Sequence, residues 1–199
     1  MGYTETMWTI LTNPTSLLIA LGWIAFLLYW IISAPGKNLR LRVMNSALTL
    51  ALSVAVAGLF FLMGTGNIPE SVNPALWQDS LPVGLCADLL VLVSLFILIW
   101  SRRTLGSNWS AQVRNERATE LVTSGPYAFV RHPIYTGFIG LVLGTAIAYG
   151  RFAGILIWVV FTVGLYVKSQ KEESVLMNKF KDEYATYRAK TKALFPFLL

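Results

Sequence analysis

The chain has 199 residues, of which 55% are hydrophobic and only 13% charged. A soluble domain carries about a quarter charged residues, so lipid is the expected solvent. A single histidine and a single cysteine, Cys86, exclude an intramolecular disulfide and a structural zinc site, which takes about four His/Cys ligands. No metal is expected. The net charge of +6 matters by location rather than by sum in such a chain, and no nucleic-acid partner is read from it.

Five apolar stretches follow in order: 16–33, 44–64, 82–100, 134–150 and 152–167. Spanning takes about 20 apolar residues, with a range of about 17–25. The first three meet that. The last two are near the short limit, divided by little more than Arg151, and are expected to form a tight helical hairpin. The first stretch has only Glu5 ahead of it and no small-residue cleavage site behind it, so it reads as a retained anchor rather than a signal peptide. The expected fold is all-α: one membrane domain, 1–199, built as a helical bundle of about five transmembrane helices with a cytoplasmic amphipathic C-terminal helix.

Loop charges supply an orientation. The loop 34–43 carries Lys37, Arg40 and Arg42 with no acid, and the loop 65–81 carries Glu70 and Asp79 with no base. Segment 101–133 has Arg102, Arg103, Arg114, Arg117 and Arg131 against Glu116 and Glu120, and the tail from Lys168 has a similar basic excess. The alternation places the N-terminus outside and the basic segments in the cytoplasm. In the tail, Glu172, Leu176, Phe180, Tyr184 and Tyr187 step by four, four, four and three residues, which predicts one face of an amphipathic helix over 172–187. Such a helix is expected to lie along the membrane interface, with Pro196 beyond it as a stop.

Certain polar residues are out of place in this pattern. Glu172 falls on the apolar face just after a span and needs a cationic or hydrogen-bonding partner. Glu173 is accounted for as an acid near a helix start. The only histidine, His132, precedes Pro133 at the expected start of the fourth span, beside Arg131 and among aromatic rings; exposed amides there predict an anion site. Asp88 lies inside the third stretch, as a path-lining residue or a hydrated one near the outer interface. The small residues Gly140 and Gly144 need only a packing role. The loop Gly64-Thr65-Gly66 and the sequon Asn108-Trp109-Ser110 are assigned none.

The order Arg131-His132-Pro133-Ile134-Tyr135, then Glu172-Glu173-Ser174-Val175-Leu176, Phe180, Glu183-Tyr184, Tyr187 and Pro196 resembles the isoprenylcysteine carboxyl methyltransferase family, within a wider group that includes phospholipid methyltransferases. The resemblance covers roughly 101–197, including Gly106-Ser107-Asn108-Trp109-Ser110 and the stretch 121–127. It implies transfer of a methyl group from S-adenosyl-L-methionine at the cytoplasmic face, with the first three spans in 1–100 and the cofactor-binding catalytic region in 101–199. Carried over by position, the cofactor contacts are Gln112, Thr119, Glu120, Leu121, Val122, Tyr127, His132, Pro133, Ile134, Tyr135 and Glu172. His132, Tyr135 and Glu172 are the implied catalytic group. Arg131 and Lys168 are assigned to the substrate, Lys168 standing where eukaryotic and archaeal members carry arginine. The implied acceptor is a lipophilic one reached from the bilayer, first the carboxylate of a prenylated cysteine. Alternatives are a phospholipid amine or small thiol, a membrane reductase using NADPH, or a non-catalytic scaffold holding anionic lipid.

Overall fold

The computed structural model describes residues 14–34, 38–64, 68–108 and 120–196, and among these every regular element is helical. Helix α1 is Pro14–Ser33, α2 Leu39–Gly64, α3 Leu81–Leu105, α4 Pro133–Tyr149 and α5 Phe152–Lys190. Short 3-10 turns occupy Gly106–Asn108 and Gly125–Ala128. The helices α1, α3 and α5 are long and apolar enough to cross a bilayer, and Thr49–Phe60 and Pro133–Tyr149 are shorter apolar helices. On α1, Leu17, Leu21, Ile24, Leu28 and Ile32 point outward while Ile19, Phe26 and Trp30 are buried. An apolar outer stripe of that length suits lipid rather than water. The protein is an all-α membrane helical bundle.

The residues group into two compact units, Met1–Val93 with Gly140–Val160 and Ser94–Ile139 with Phe161–Leu199. In the first, Asn38 accepts from the Leu41 amide at 3.0 Å and so caps the start of α2. The loop after α2 is stapled to the α4–α5 turn. Asn73 donates from Nδ2 to the Tyr149 hydroxyl at 3.0 Å and accepts from the Ala153 amide at 3.0 Å, while Arg151 donates to its carbonyl at 2.9 Å. Trp77 adds a bond from Nε1 to the Ile147 carbonyl at 2.9 Å. Gly150, at φ 68°, and Arg151 are the two residues between the helices and make the short reversal that the apolar spacing predicts. Asp88 has a hydroxyl partner, Thr15. Gly144 lets α4 approach α3: a Cβ there would stand 3.0 Å from the Ala87 carbonyl oxygen.

In the second unit α5 departs from expectation. No separate interfacial helix begins near Glu172; the helix runs unbroken through the apolar stretch that ends at Val167 and on into the charged segment. The physical reason is local: residues 168–180 contain neither Gly nor Pro, and Lys, Gln, Glu, Leu and Met sustain a helix. The interruption comes later, at Lys181, where φ is 43° and ψ −116°. Beyond Lys190 the chain turns back, and Val130 pairs with Lys192 in an isolated parallel bridge.

Candidate functional site

The site is built where the start of α4 meets the charged part of α5, all within the second unit. Pro133 opens α4, its missing N–H falling where a helix needs no internal partner. That puts His132 just ahead of the first turn, 7% exposed, and Tyr135 one turn later. The imidazole lies parallel to the Tyr135 ring, with an interplanar angle of 6° and centroids 5.4 Å apart. Two consecutive acids of α5 flank it. Glu172 Oε2 is 3.6 Å from Nδ1, and Glu173 Oε1 is 3.4 Å from Nε2.

The two carboxylates have different surroundings. Glu172 is 20% exposed and accepts a 2.6 Å hydrogen bond from the Tyr135 hydroxyl at Oε1. Lys168, one turn earlier, stands 3.8 Å from the same oxygen and over the Tyr135 ring. Glu173 is only 3% exposed. It accepts from Arg131 Nε at 2.8 Å and lies 3.2 Å from Arg188 Nε. Burial alone would raise its carboxyl, but His132 and Arg131 outweigh that and bring it down from 4.5 to about 2.

Arg131 is tied to the tail as well. Its Nη1 donates to the carbonyls of Thr191 and Arg188. The Arg131 amide donates to the Lys192 carbonyl at 2.8 Å, the His132 amide to Ala193 at 3.0 Å, and the Thr136 hydroxyl to Leu194. The amides of Arg131 and His132 are therefore not the exposed anion cradle expected from the sequence; the returning tail has taken them. Arg131, assigned to substrate on the resemblance, is placed as the anchor of that tail.

Pro133 and Ile134 are buried beside His132, where they pack rather than present polar atoms. Tyr127 is buried in the 3-10 turn, and its carbonyl accepts from the Tyr187 hydroxyl at 2.7 Å. Burial, then the neighbouring Tyr187, pushes its phenol well above the ordinary range and keeps it neutral. Leu121 and Val122 are half-buried and Glu120 is exposed; among the described polar contacts none joins these three to His132. Gln112 and Thr119 lie outside the described residues. Sequence reasoning missed Glu173, Arg188 and the 191–194 return. Glu173 shares its buried face of α5 with Leu165 and Ser169, at successive intervals of four, and Ser169 as a residue type does not announce that face in the sequence.

A cavity of about 360 Å³ adjoins Glu173 on the same helix, lined by Gln170, Ser174, Met177, Asn178 and Arg188. Among the described residues no group of three metal-ligating side chains occurs.

Fold and site together define a helical membrane protein with one imidazole held between two helix-borne carboxylates. A family model for phospholipid methyltransferases matches residues 83–183, about half of the sequence, and the chain belongs to that family. The protein-S-isoprenylcysteine O-methyltransferase of Schizosaccharomyces pombe is 35% identical over 96 residues, 47% of this chain and 41% of that protein. The nickel-cobalt-cadmium resistance protein NccN of Alcaligenes xylosoxydans xylosoxydans is 36% identical over 98 residues, 48% of this chain and 45% of that protein. The Xenopus laevis protein-S-isoprenylcysteine O-methyltransferase is 27% identical over 202 residues, 98% of this chain and 60% of that protein. The chain thus spans less than half the length of the first two relatives.

Proposed function

We propose that the protein is an S-adenosyl-L-methionine-dependent methyltransferase acting at the cytoplasmic membrane face on a lipophilic acceptor, in first place the carboxylate of a prenylated cysteine. The observation that carries this is Glu172: a partly accessible carboxylate, oriented by the Tyr135 hydroxyl and backed by His132, in a chain whose relatives include named isoprenylcysteine methyltransferases. The donor set suits the cofactor. Its ammonium needs an oriented anion, and Glu172 offers Oε2 while Tyr135 fixes Oε1. When bound, the cofactor supplies an electrophilic methyl group on a sulfonium.

The remaining work falls to the chain itself. Lys168 holds its ammonium beside Glu172 and the Tyr135 ring, where it attracts an acceptor carboxylate as a point charge. A carboxylate acceptor is ionised at neutral pH, so the residues need only align it and exclude water. His132 then acts by holding Glu172 and Tyr135 in register, without taking a proton from the acceptor. Orientation follows the loop charges: the N-terminus outside, and the 101–133 and C-terminal segments in the cytoplasm.

The test is direct. The purified protein in lipid nanodiscs receives labelled S-adenosyl-L-methionine with a farnesylated cysteine analogue, phosphatidylethanolamine or a small thiol in parallel. A base-labile methyl ester on the prenylcysteine is the expected product. Label on the amine or the thiol moves the acceptor within the same reaction class, and no saturable cofactor binding refutes the proposal.

A further inference from the structure

His132 is flanked by two carboxylates, and only Glu172 retains appreciable exposure. Glu173, at 3% exposure, meets the Nε2 edge of the ring with the same Oε1 that receives the Arg131 Nε bond. One oxygen thus fixes the spacing between the imidazole and the guanidinium. The ring is in turn stacked on Tyr135, whose hydroxyl reaches Glu172. The imidazole thus stands between the two acids, Glu173 at its Nε2 edge and the accessible Glu172 at Nδ1.

Tail docking rests on more than this acid. The Arg131 and His132 amides and the Thr136 hydroxyl already join the start of α4 to Lys192, Ala193 and Leu194. A buried ion pair adds little net stability, because desolvation cancels much of the attraction. What the carboxylate adds is a fixed partner for an imidazole edge whose Nε2 is buried and makes no well-formed hydrogen bond among the described residues.

We propose that Glu173 is the positioning residue of this site: it holds His132 from the Nε2 edge and thereby aims Glu172 and Tyr135 at the ligand. It touches neither cofactor nor acceptor. Its effect on turnover rests on the methyl-transfer reading, whereas its hold on the ring does not.

Because the chain has one histidine, isotope-labelled histidine reports His132 alone in nitrogen NMR of the full protein in nanodiscs. Glu173→Gln is expected to move the Nε2 resonance more than Nδ1, and Glu172→Gln to do the reverse. Saturating turnover in Glu173→Gln should fall about 10–100-fold, the range by which loss of a partner behind a site group lowers affinity or activity, and cofactor affinity should weaken with it because Glu172 is no longer aimed. Glu173→Asp should recover part of it. An unmoved Nε2 resonance in folded Glu173→Gln overturns the proposal, as does unchanged turnover. Should Glu173→Gln fail to fold, Arg188→Gln decides. That side chain is 49% exposed and 3.2 Å from Glu173; a moved Nε2 signal supports the assignment and an unmoved one overturns it. If the unaltered protein methylates none of the acceptors, the proposed function falls, and the Nε2 resonance alone decides the positioning role.

Discussion

Arg131→Met removes the guanidinium that bonds Glu173 at 2.8 Å and the tail carbonyls of Arg188 and Thr191. The two side chains of the pair are 9% and 3% exposed, so the interaction is a buried one. Breaking a buried pair by removing one member costs about 3–5 kcal/mol, because the other charge is left uncompensated. Arg188, 3.2 Å from the second Glu173 oxygen but half exposed, offsets part of this, so the lower end, about 3 kcal/mol, is expected. Replacing both residues with methionine removes the stranded charge too, and such replacements are often neutral or stabilising. The double variant should therefore be more stable than Arg131→Met alone. The four proteins of the cycle are compared in detergent by thermal unfolding and by carboxypeptidase digestion of the tail. A loss of about 3 kcal/mol corresponds to roughly 100-fold faster digestion where opening and reclosing are fast relative to cleavage. Strict additivity, or an unchanged digestion rate in Arg131→Met, would refute the reasoning.

Glu172→Gln keeps the size and the Tyr135 contact but loses the charge; cofactor affinity measured by calorimetry should fall about 10-fold or more, with the unfolding midpoint nearly unchanged. Asn73→Ala deletes the bonds to Tyr149 and the Ala153 amide at a buried position, at about 2–3 kcal/mol. Thermal unfolding should register that loss while cofactor affinity stays level. The depressed Glu173 carboxyl contributes stability that is present above about pH 4.5, its ordinary value, and is lost as pH falls toward about 2. Carboxypeptidase cannot be used across that range, so hydrogen exchange of the Arg131 and His132 amides, which donate to the tail, followed against pH is the measurement. The unaltered protein should lose protection in that window and Glu173→Gln should not.

The apolar helices and the short α4–α5 reversal were legible because composition and span length are strong signals. The cluster around His132 was legible as residue types but not as an arrangement. Its decisive contacts come from the 191–194 return, a segment with no periodicity that docks through backbone carbonyls, and carbonyls leave no trace in side-chain identity. The acid pair shows the same limit differently. Choosing Glu172 as the inward residue depended on steps of four repeated from Glu172 to Tyr184, yet each such step advances about 40° around a helix of 3.6 residues per turn, so three of them drift by roughly 120°. The break at Lys181 further removes Tyr184 as a marker for the face upstream. Counted instead from buried Leu165 and Ser169, the inward position is Glu173, with Glu172 about 100° to one side.

That offset is what gives two adjacent acids two tasks. Had Glu172 faced fully inward, its carboxylate would be closed off by the same neighbours that bury Glu173, and no oriented anion would remain for a ligand. With the helix phase as it is, one residue anchors the imidazole and tail from within, and the next stands at the edge, bonded to Tyr135 and still accessible. The uninterrupted run of α5 from the membrane to Glu173 sets that phase. A one-residue insertion between Val167 and Lys168 would rotate both acids by about 100°; it should abolish cofactor binding and expose the tail to digestion together, whereas Glu172→Gln should weaken the first and leave the second unchanged. Retention of both in the insertion variant would show that the phase of the helix does not govern the site.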